Sequence, residues 1–490
     1  MKTLPALLFL SCLAGPLVVP ANLHAQEPAA ESAKPAKDGK KKKKKDKDKK
    51  KKKDKDKAEG ADKGTEKHKD KHKHKDEAAS EPVSTGAGVA AGANASAKEA
   101  PPELVDKPAS NNGDWCQWLQ NNPGLLYENK ENPYIQSFKI GGRFHYQIAS
   151  LEGTDVNGMD FNDKYDEYRR LRFETKTKFL RYFTAEVNVN LVDDNRFHNG
   201  PYSDLEWGYD TFDEASVTFD IGKAFGDGWL DGIKLKYGRM KLDMTEETRM
   251  SSNDTYTIER SSISEKVSGD AGRPTGVTLE LEKGDWDLIL GMFSAEDDSD
   301  FVAGWGEGQF FYGSLQWRAT DDLRLVLDYS QNNSDGVDDA LGYGWAAALS
   351  AIYEKKNWGV ITEALYGDNG GGISAPITRR QGDFHGFVVM PWYWILENRL
   401  QAVLQYQYAS SPESQGLQLP SRYLRAEHEN PLVDVDNGRG NEHHSLYAGL
   451  NWHLCPDRVR VMGGFSLDDL TTRKSEVKAY TWQLAVRTSF

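Results

Sequence analysis

Tyr480-Thr-Trp482-Gln-Leu484-Ala-Val486-Arg-Thr488-Ser-Phe490 ends the chain. Large apolar or aromatic side chains alternate here with small or polar ones. A strand sends successive side chains to opposite faces. Tyr480, Trp482, Leu484, Val486 and Phe490 therefore share a greasy face, and Thr481, Gln483, Arg487 and Ser489 a wet one. A strand of this kind with an aromatic last residue is typical of β-barrels that face lipid outside and water inside.

The same pattern recurs upstream. Phe138, Ile140, Phe144, Tyr146 and Ile148 alternate with Lys139, Arg143, His145 and Gln147. Leu171, Phe173 and Phe179 alternate with Arg170, Arg172, Glu174, Lys176 and Lys178. Leu446, Ala448, Leu450, Trp452 and Leu454 interleave with Ser445, Asn451 and His453. With the weaker segments, 16 strands are predicted between residues 137 and 490. Leu180-Arg181-Tyr182, Gly284-Asp285, Lys356-Asn357 and Cys455-Pro456-Asp457 are short connections. Residues 151–167, 193–209, 240–274, 294–309, 331–343, 368–382, 409–443 and 467–479 are long ones. Short–long alternation puts tight turns at one end of the sheet and loops at the other, the layout of an outer-membrane barrel. Only the 220–231 connection is longer than the other turns. The expected fold is an all-β, 16-stranded antiparallel transmembrane β-barrel preceded by a disordered lysine-rich segment.

Length and composition agree. The chain has 490 residues, and after the first 25 no apolar run reaches the ~20 residues that a membrane helix needs. Lys2, the apolar stretch Leu4 to Val19 and the small residues ending at Ala25 read as a secretory signal peptide over 1–25. Processing at Cys12, behind Leu10-Ser11, is the alternative. Residues 34–77 hold 22 Lys against 11 Asp plus Glu and no aromatic residue. Such a segment cannot bury enough apolar surface to offset chain entropy, so 26–113 are expected to be a disordered Lys-rich and Ala/Gly/Pro linker. Trp115, Trp118, Leu119 and Leu125 mark a short docking segment over 114–134, and the barrel takes 135–490. The chain carries a net charge of −13; with the basic tail set aside, residues 135–490 carry −19. Cys116 and Cys455 could pair in an oxidising periplasm or remain two separate thiols.

Gly238-Arg-Met-Lys241, Glu246-Glu247, Ser251-Ser252, Glu259-Arg260-Ser261 and Arg273-Pro-Thr-Gly276-Val277 together resemble the phosphate-selective porin O and P family. Arg169 to Phe173, Asp213-Glu214-Ala215, Gly449 to Trp452 and Arg458 to Met462 look similar to other strands of that family. The resemblance covers roughly residues 135–490. It implies a trimeric, 16-stranded porin whose long loop folds into the lumen, with anions passing Lys and Arg side chains. Residues 240–274 are the candidate inward loop.

An anion leaving bulk water must recover hydration energy from N–H donors. Alternation places Lys139, Arg143, Arg170, Arg172, Lys176, Lys178, Lys234, Lys236, Arg324, Arg399, Arg458, Arg460 and Arg487 on the water side. Lys241, Arg249 and Arg260 belong to the inward loop. Glu174, Glu186, Glu280, Glu282, Asp287 and Asp328 share the water face, leaving a positive local balance and assigning the acidic excess to loops such as Glu296 to Asp298 and Asp335 to Asp339. The expected function is passage of small hydrophilic solutes, anions such as phosphate among them, through the outer membrane. A non-conducting barrel that tethers the membrane to anionic cell-wall polymer through the basic tail is the alternative. Outer-membrane lipid and a homotrimer are the other expected partners. No nucleic-acid partner, cofactor or metal is expected; His68, His72 and His74 lie in a segment without fixed geometry. Ser445 beside His443-His444 is the nearest approach to a hydrolytic pair, but no nucleophile elbow accompanies it, so no enzymatic activity is expected.

Overall fold

The computed structural model describes residues 114–121, 123–192, 207–268, 273–295, 305, 308–333, 341–370, 381–418, 422–427 and 430–490. The expected signal peptide, lysine-rich segment and linker lie outside the described residues, as do the acidic loop stretches 296–298 and 335–339.

A helix, α1 (Asp114–Gln120), and a short strand, β1 (Leu125–Glu128), precede sixteen longer strands. These are β2 (Ile135–Thr154), β3 (Asp160–Phe179), β4 (Phe183–Val192), β5 (Trp207–Asp220), β6 (Gly232–Arg239), β7 (Thr275–Lys283), β8 (Trp286–Ser294) and β9 (Gln309–Arg318). They continue with β10 (Leu323–Asn332), β11 (Trp345–Glu354), β12 (Trp358–Asp368), β13 (Asp383–Leu396) and β14 (Leu400–Ser410). After the two-residue strands β15 (Leu417–Gln418) and β16 (Arg439–Gly440) come β17 (Glu442–Cys455), β18 (Val459–Thr471) and β19 (Glu476–Ser489). Each long strand pairs antiparallel with the next, β14 pairs with β17, and β19 returns to β2. The barrel is closed with 16 strands, which removes the free edges that would otherwise invite aggregation.

Side-chain facing follows the predicted alternation. In β19, exposed Tyr480, Trp482 and Leu484 alternate with buried Thr481, Gln483, Ala485 and Arg487. Trp482 is 63% exposed and Leu450 49% on the outer wall, positions that make sense in lipid rather than water. Ring pairs band both rims. Trp286–Trp317 and Tyr353–Trp358 lie by the short turns, and Tyr329–Trp345 and Trp345–Tyr366 by the long connections. Such aromatic girdles seat a barrel at the two membrane interfaces. The tight turns use left-handed residues, Leu180 and Arg181 at φ 49° and 68° and Gly284 at φ 55°, matching the strands' right-handed twist. The longer 220–231 connection holds a helical turn, α2 (Ile221–Phe225).

Two predicted loops are mostly strand. Residues 151–167 and 467–479 shrink to turns at 155–159 and 472–475, and the β2–β3 hairpin has two 20-residue arms. The missed arms invert the lipid-facing pattern: inward Leu151, Tyr165, Leu470 and Val477 are fully or almost fully buried, while Glu152, Lys164 and Lys478 point out. This part of the wall has an apolar inside and a wet outside.

The apolar inside exists because a second connection enters the barrel. The helix α5 (Arg422–Ala426), within the predicted 409–443 loop, packs Tyr423, Leu424 and Ala426 against Ala149, Leu151, Tyr165 and Leu470. Buried Glu167 accepts from Arg422 Nε and Nη2 at 2.9 and 2.7 Å, from Tyr423 Oη at 2.9 Å and from Gln147 at 2.7 Å.

The expected inward loop, 240–274, does enter the lumen. It carries α3 (Glu246–Arg249) and α4 (Ser262–Ser268). Met240, Leu242, Met244, Ile263 and Val267 pack on Phe293, Phe310, Tyr343, Phe384 and Val388 of the far wall. Gln405 donates to Glu247 at 2.6 Å, Ser264 to Glu363 at 2.7 Å, and Arg249 pairs with Asp328 at 2.8 Å. The loop leaves β6 at Gly238, whose φ is +133° and where any Cβ would lie 2.1 Å from the Ala215 carbonyl oxygen. Only glycine fits there.

At the short-turn rim, Cys116 and Cys455 form a disulfide. It fixes α1 on the inner side of the wall, where Cys455 faces. β1 then pairs with β2 at residues 137–139, beyond the point where β19 stops.

Candidate functional site

The site is built on an irregularity in β3. His145 pairs with Arg170 but Tyr146 with Tyr168, so Arg169 is an extra residue, a β-bulge. A bulge re-aims side chains locally. Above it Asp163 and Glu167 are buried inside; below it the phase shifts and Arg172 is. Arg169 reaches the inward loop through Glu259 at 3.1 Å, and Arg170 beside it joins a basic cluster.

That cluster lies between the β2, β3, β5 and β6 wall and the inward loop. Arg143, Arg170, Arg172, Lys236, Lys241, Arg260 and Arg273 surround a space of about 40 Å³ with three carboxylates, Asp213, Glu214 and Asp243, and Ser251 and Ser252 complete its lining. Seven cations against three acids leave this space net positive. Asp213 is shared by Arg172 and Arg273, each at 2.6 Å. Lys236 pairs with Glu214 at 2.6 Å and Lys241 with Asp243 at 2.9 Å. Arg143 pairs with Glu174, a carboxylate outside the space, and donates to Ser251 and Ser252 at 3.2 Å. Arg260 donates to the Glu247 and Met250 carbonyls at 2.7 and 3.1 Å. Arg170 makes no ion pair among the described residues, and its Nε is buried without a hydrogen-bond partner. A neighbouring space of about 80 Å³ shares Lys236, Lys241 and Asp243 and extends toward Arg249 and Tyr312.

Six of the residues singled out in the sequence meet here: Arg143, Arg170, Arg172, Lys236, Lys241 and Arg260. The other ten, Arg324, Arg399, Arg458, Arg460 and Arg487 among them, do not line this space. Lys176 pairs with Glu186, and Lys234 with Glu282 at 2.7 Å, lower on the wall. Lys139 is half-buried and Lys178 exposed by the short turns. Arg249 is engaged by Asp328 and anchors the loop. The surplus of lumen cations expected from side-chain facing is therefore reduced to a local one, because facing assigns a side but not a partner. Arg273 was absent from the expected lining although it lies in the Arg273-Pro-Thr-Gly276-Val277 motif; its pairing with Asp213 depends on the return of the loop.

The Ser/His candidate dissolves. His443 Nδ1 is 2.5 Å from Gln407 Nε2 and 3.4 Å from Ser262, and its Nε2 is 3.2 Å from Asp468. Ser445 has no part in this group. A ring nitrogen already accepting from an amide N–H is not free to take a serine proton. Outside the spanning strands, the Lys474 ammonium at 2.8 Å holds the Asp434 carboxyl below its usual range and ties two rim loops together.

The model of the family described as phosphate-selective porin O and P matches residues 138–308. That is the stretch with the bulged strand, the basic wall and the inward loop, and it holds every piece of the resemblance read from the sequence except Gly449 to Trp452 and Arg458 to Met462. No curated protein matches the chain. Among solved structures, the outer membrane channel DcaP of Acinetobacter baumannii is 13% identical over 74% of this chain and 100% of its own, with a TM-score of 0.45. The anion-selective porin from Comamonas acidovorans is 12% identical over 72% and 99%, and Salmonella typhi OmpF is 11% identical over 75% and 100%; both have a TM-score of 0.45. Likenesses of this degree carry no argument about solutes. The chain is a porin-type outer-membrane barrel, a channel rather than an enzyme.

Proposed function

We propose that this outer-membrane porin, of the phosphate-selective porin O and P type, passes small anions, phosphate among them, through the basic constriction between β3 and the inward loop. The observation that carries the reading is the four-charge excess of cations there, with Arg170 free of any described carboxylate. A guanidinium without an acidic partner offers N–H donors to a passing oxyanion. The remaining ion pairs hold the wall stiff and keep their cations in place. Assembly as a homotrimer is part of this reading and draws on the family resemblance. So is a periplasmic N-terminal tail, since β2 begins and β19 ends at the short-turn rim.

The test is the reversal potential of the refolded protein across a planar bilayer under a KCl gradient, followed by phosphate titration. An anion-signed potential with chloride current blocked by phosphate is expected. A cation-signed potential refutes anion passage, and an anion-signed potential insensitive to phosphate removes phosphate from the solutes.

A further inference from the structure

Below the inward loop, just inside the short-turn mouth, lies a cavity of about 290 Å³. It is separate from the basic constriction and has two unlike walls. One is aromatic. The Trp394 and His453 rings lie 4.9 Å apart, and Tyr256 of the inward loop also lines the space. The other is cationic, formed by Arg458, Arg460 and Arg487.

Arg487 is largely occupied. It donates to the Ser252 and Thr257 carbonyls at 2.8 and 3.3 Å and so holds the loop. Arg460 differs. It is only 5% exposed, yet its Nε and Nη2 have no hydrogen-bond partner. These atoms form one edge of the guanidinium, the same edge that Arg422 gives to the Glu167 carboxylate. A buried, unused fork of this shape matches a carboxylate bidentately, and leaving it unmatched is costly. Asp254 and Asp457 also line the cavity, so three arginines face two carboxylates. The net single positive charge suits a monoanion. His453 Nε2, likewise buried without a partner, adds a polar point beside the ring wall. The volume is near the lower end of small-molecule sites, ~300 Å³.

We propose that this cavity binds small aromatic monocarboxylates, the carboxylate on the Nε–Nη2 edge of Arg460 and the ring against Trp394. The site goes beyond the anion-pore reading. A barrel without anion preference could still bind here, and an anion pore could lack the site, so the two fail separately.

The experiment is titration calorimetry of the folded full-length protein in detergent at low ionic strength, with sodium benzoate as probe. Saturable binding is expected, weakened at least about tenfold by R460Q, because a charge-assisted bidentate contact is lost. W394L should weaken it as well, since the stacking face goes. Benzyl alcohol, which has the ring but no charge, should not bind, and phosphate at equal concentration should not displace benzoate. Heat-modifiable gel mobility reports whether each variant is folded; if R460Q is not, W394L alone decides. Absence of saturable benzoate binding, wild-type affinity in the folded variants, or displacement by equimolar phosphate would each overturn the proposal.

Discussion

Arg422→Met should unlatch α5 from the barrel wall while leaving the barrel closed. Glu167 is fully buried and has four donor contacts, two from Arg422 and one each from Tyr423 and Gln147. Methionine fills much of the arginine volume but strips the carboxylate of its counter-charge. Removing one partner of a buried pair costs about 3–5 kcal/mol. Each 1.4 kcal/mol is a factor of ten, so opening of the segment should rise by about 10²-fold to a few thousand-fold. The sixteen-strand ladder does not depend on this pair, so heat-modifiable mobility should stay as in the wild type. The readout is limited proteolysis between residues 411 and 441, scored by mass spectrometry of the nicked chain, with single-channel conductance alongside. Cleavage should accelerate and conductance rise as α5 leaves the lumen. The double variant E167Q/R422M removes both charges and should restore most of the protection, because a neutral amide is far cheaper to bury than a lone carboxylate. Unchanged cleavage in R422M, or a double variant as labile as the single one, would refute the reasoning.

Four other outcomes are expected. Arg170→Gln should shift the reversal potential toward cations with little loss of conductance, whereas Lys234→Gln, below the constriction and paired with Glu282, should change it less. Asp328→Asn should loosen the inward loop, since Arg249 loses the carboxylate at 2.8 Å, and should be seen as noisier and larger single-channel currents. Reducing Cys116–Cys455 should free α1 from the inner rim, detected as faster proteolysis near residue 114, without unfolding the barrel. Gly238→Ala should block folding or displace the loop, because its Cβ would strike the Ala215 carbonyl oxygen; normal yield of heat-modifiable protein with unchanged conductance would contradict this.

What the residues alone disclose follows from which solvent each face meets. Where one face meets lipid, as in Tyr480 to Phe490, greasy and wet residues must alternate, and all sixteen strands could be read. Above the membrane both faces lose that contrast. Leu151 and Tyr165 there face inward onto α5, so the arms of the β2–β3 hairpin looked like loop. The bulge at Arg169 was invisible for a related reason: one extra polar residue leaves no mark on the pattern, yet it turns Arg170 and Arg172 onto the same inner face as Asp163 and Glu167. The basic cluster was legible as a set of residue types on the correct face. Its composition was not, because the partners Asp213, Glu214 and Asp243 come from β5 and the loop. Tyr423 and Leu424 looked like part of an ordinary surface connection, since five residues of helix leave too little periodicity to reveal an apolar face.

β1 and β19 run in the same direction along one edge of β2. Phe490 donates its N–H to the Gly142 carbonyl at 3.1 Å, and the next contact on that edge, 2.9 Å from Ile140 N–H to the Gly124 carbonyl, belongs to the other end of the folded unit. The wall therefore contains a single strand written in two pieces, with a nick between Phe490 and Gly124. Sealing that nick with a short linker and opening the chain at an exposed turn would give a circular permutant in which covalent bonds, rather than the disulfide, keep the two pieces in line.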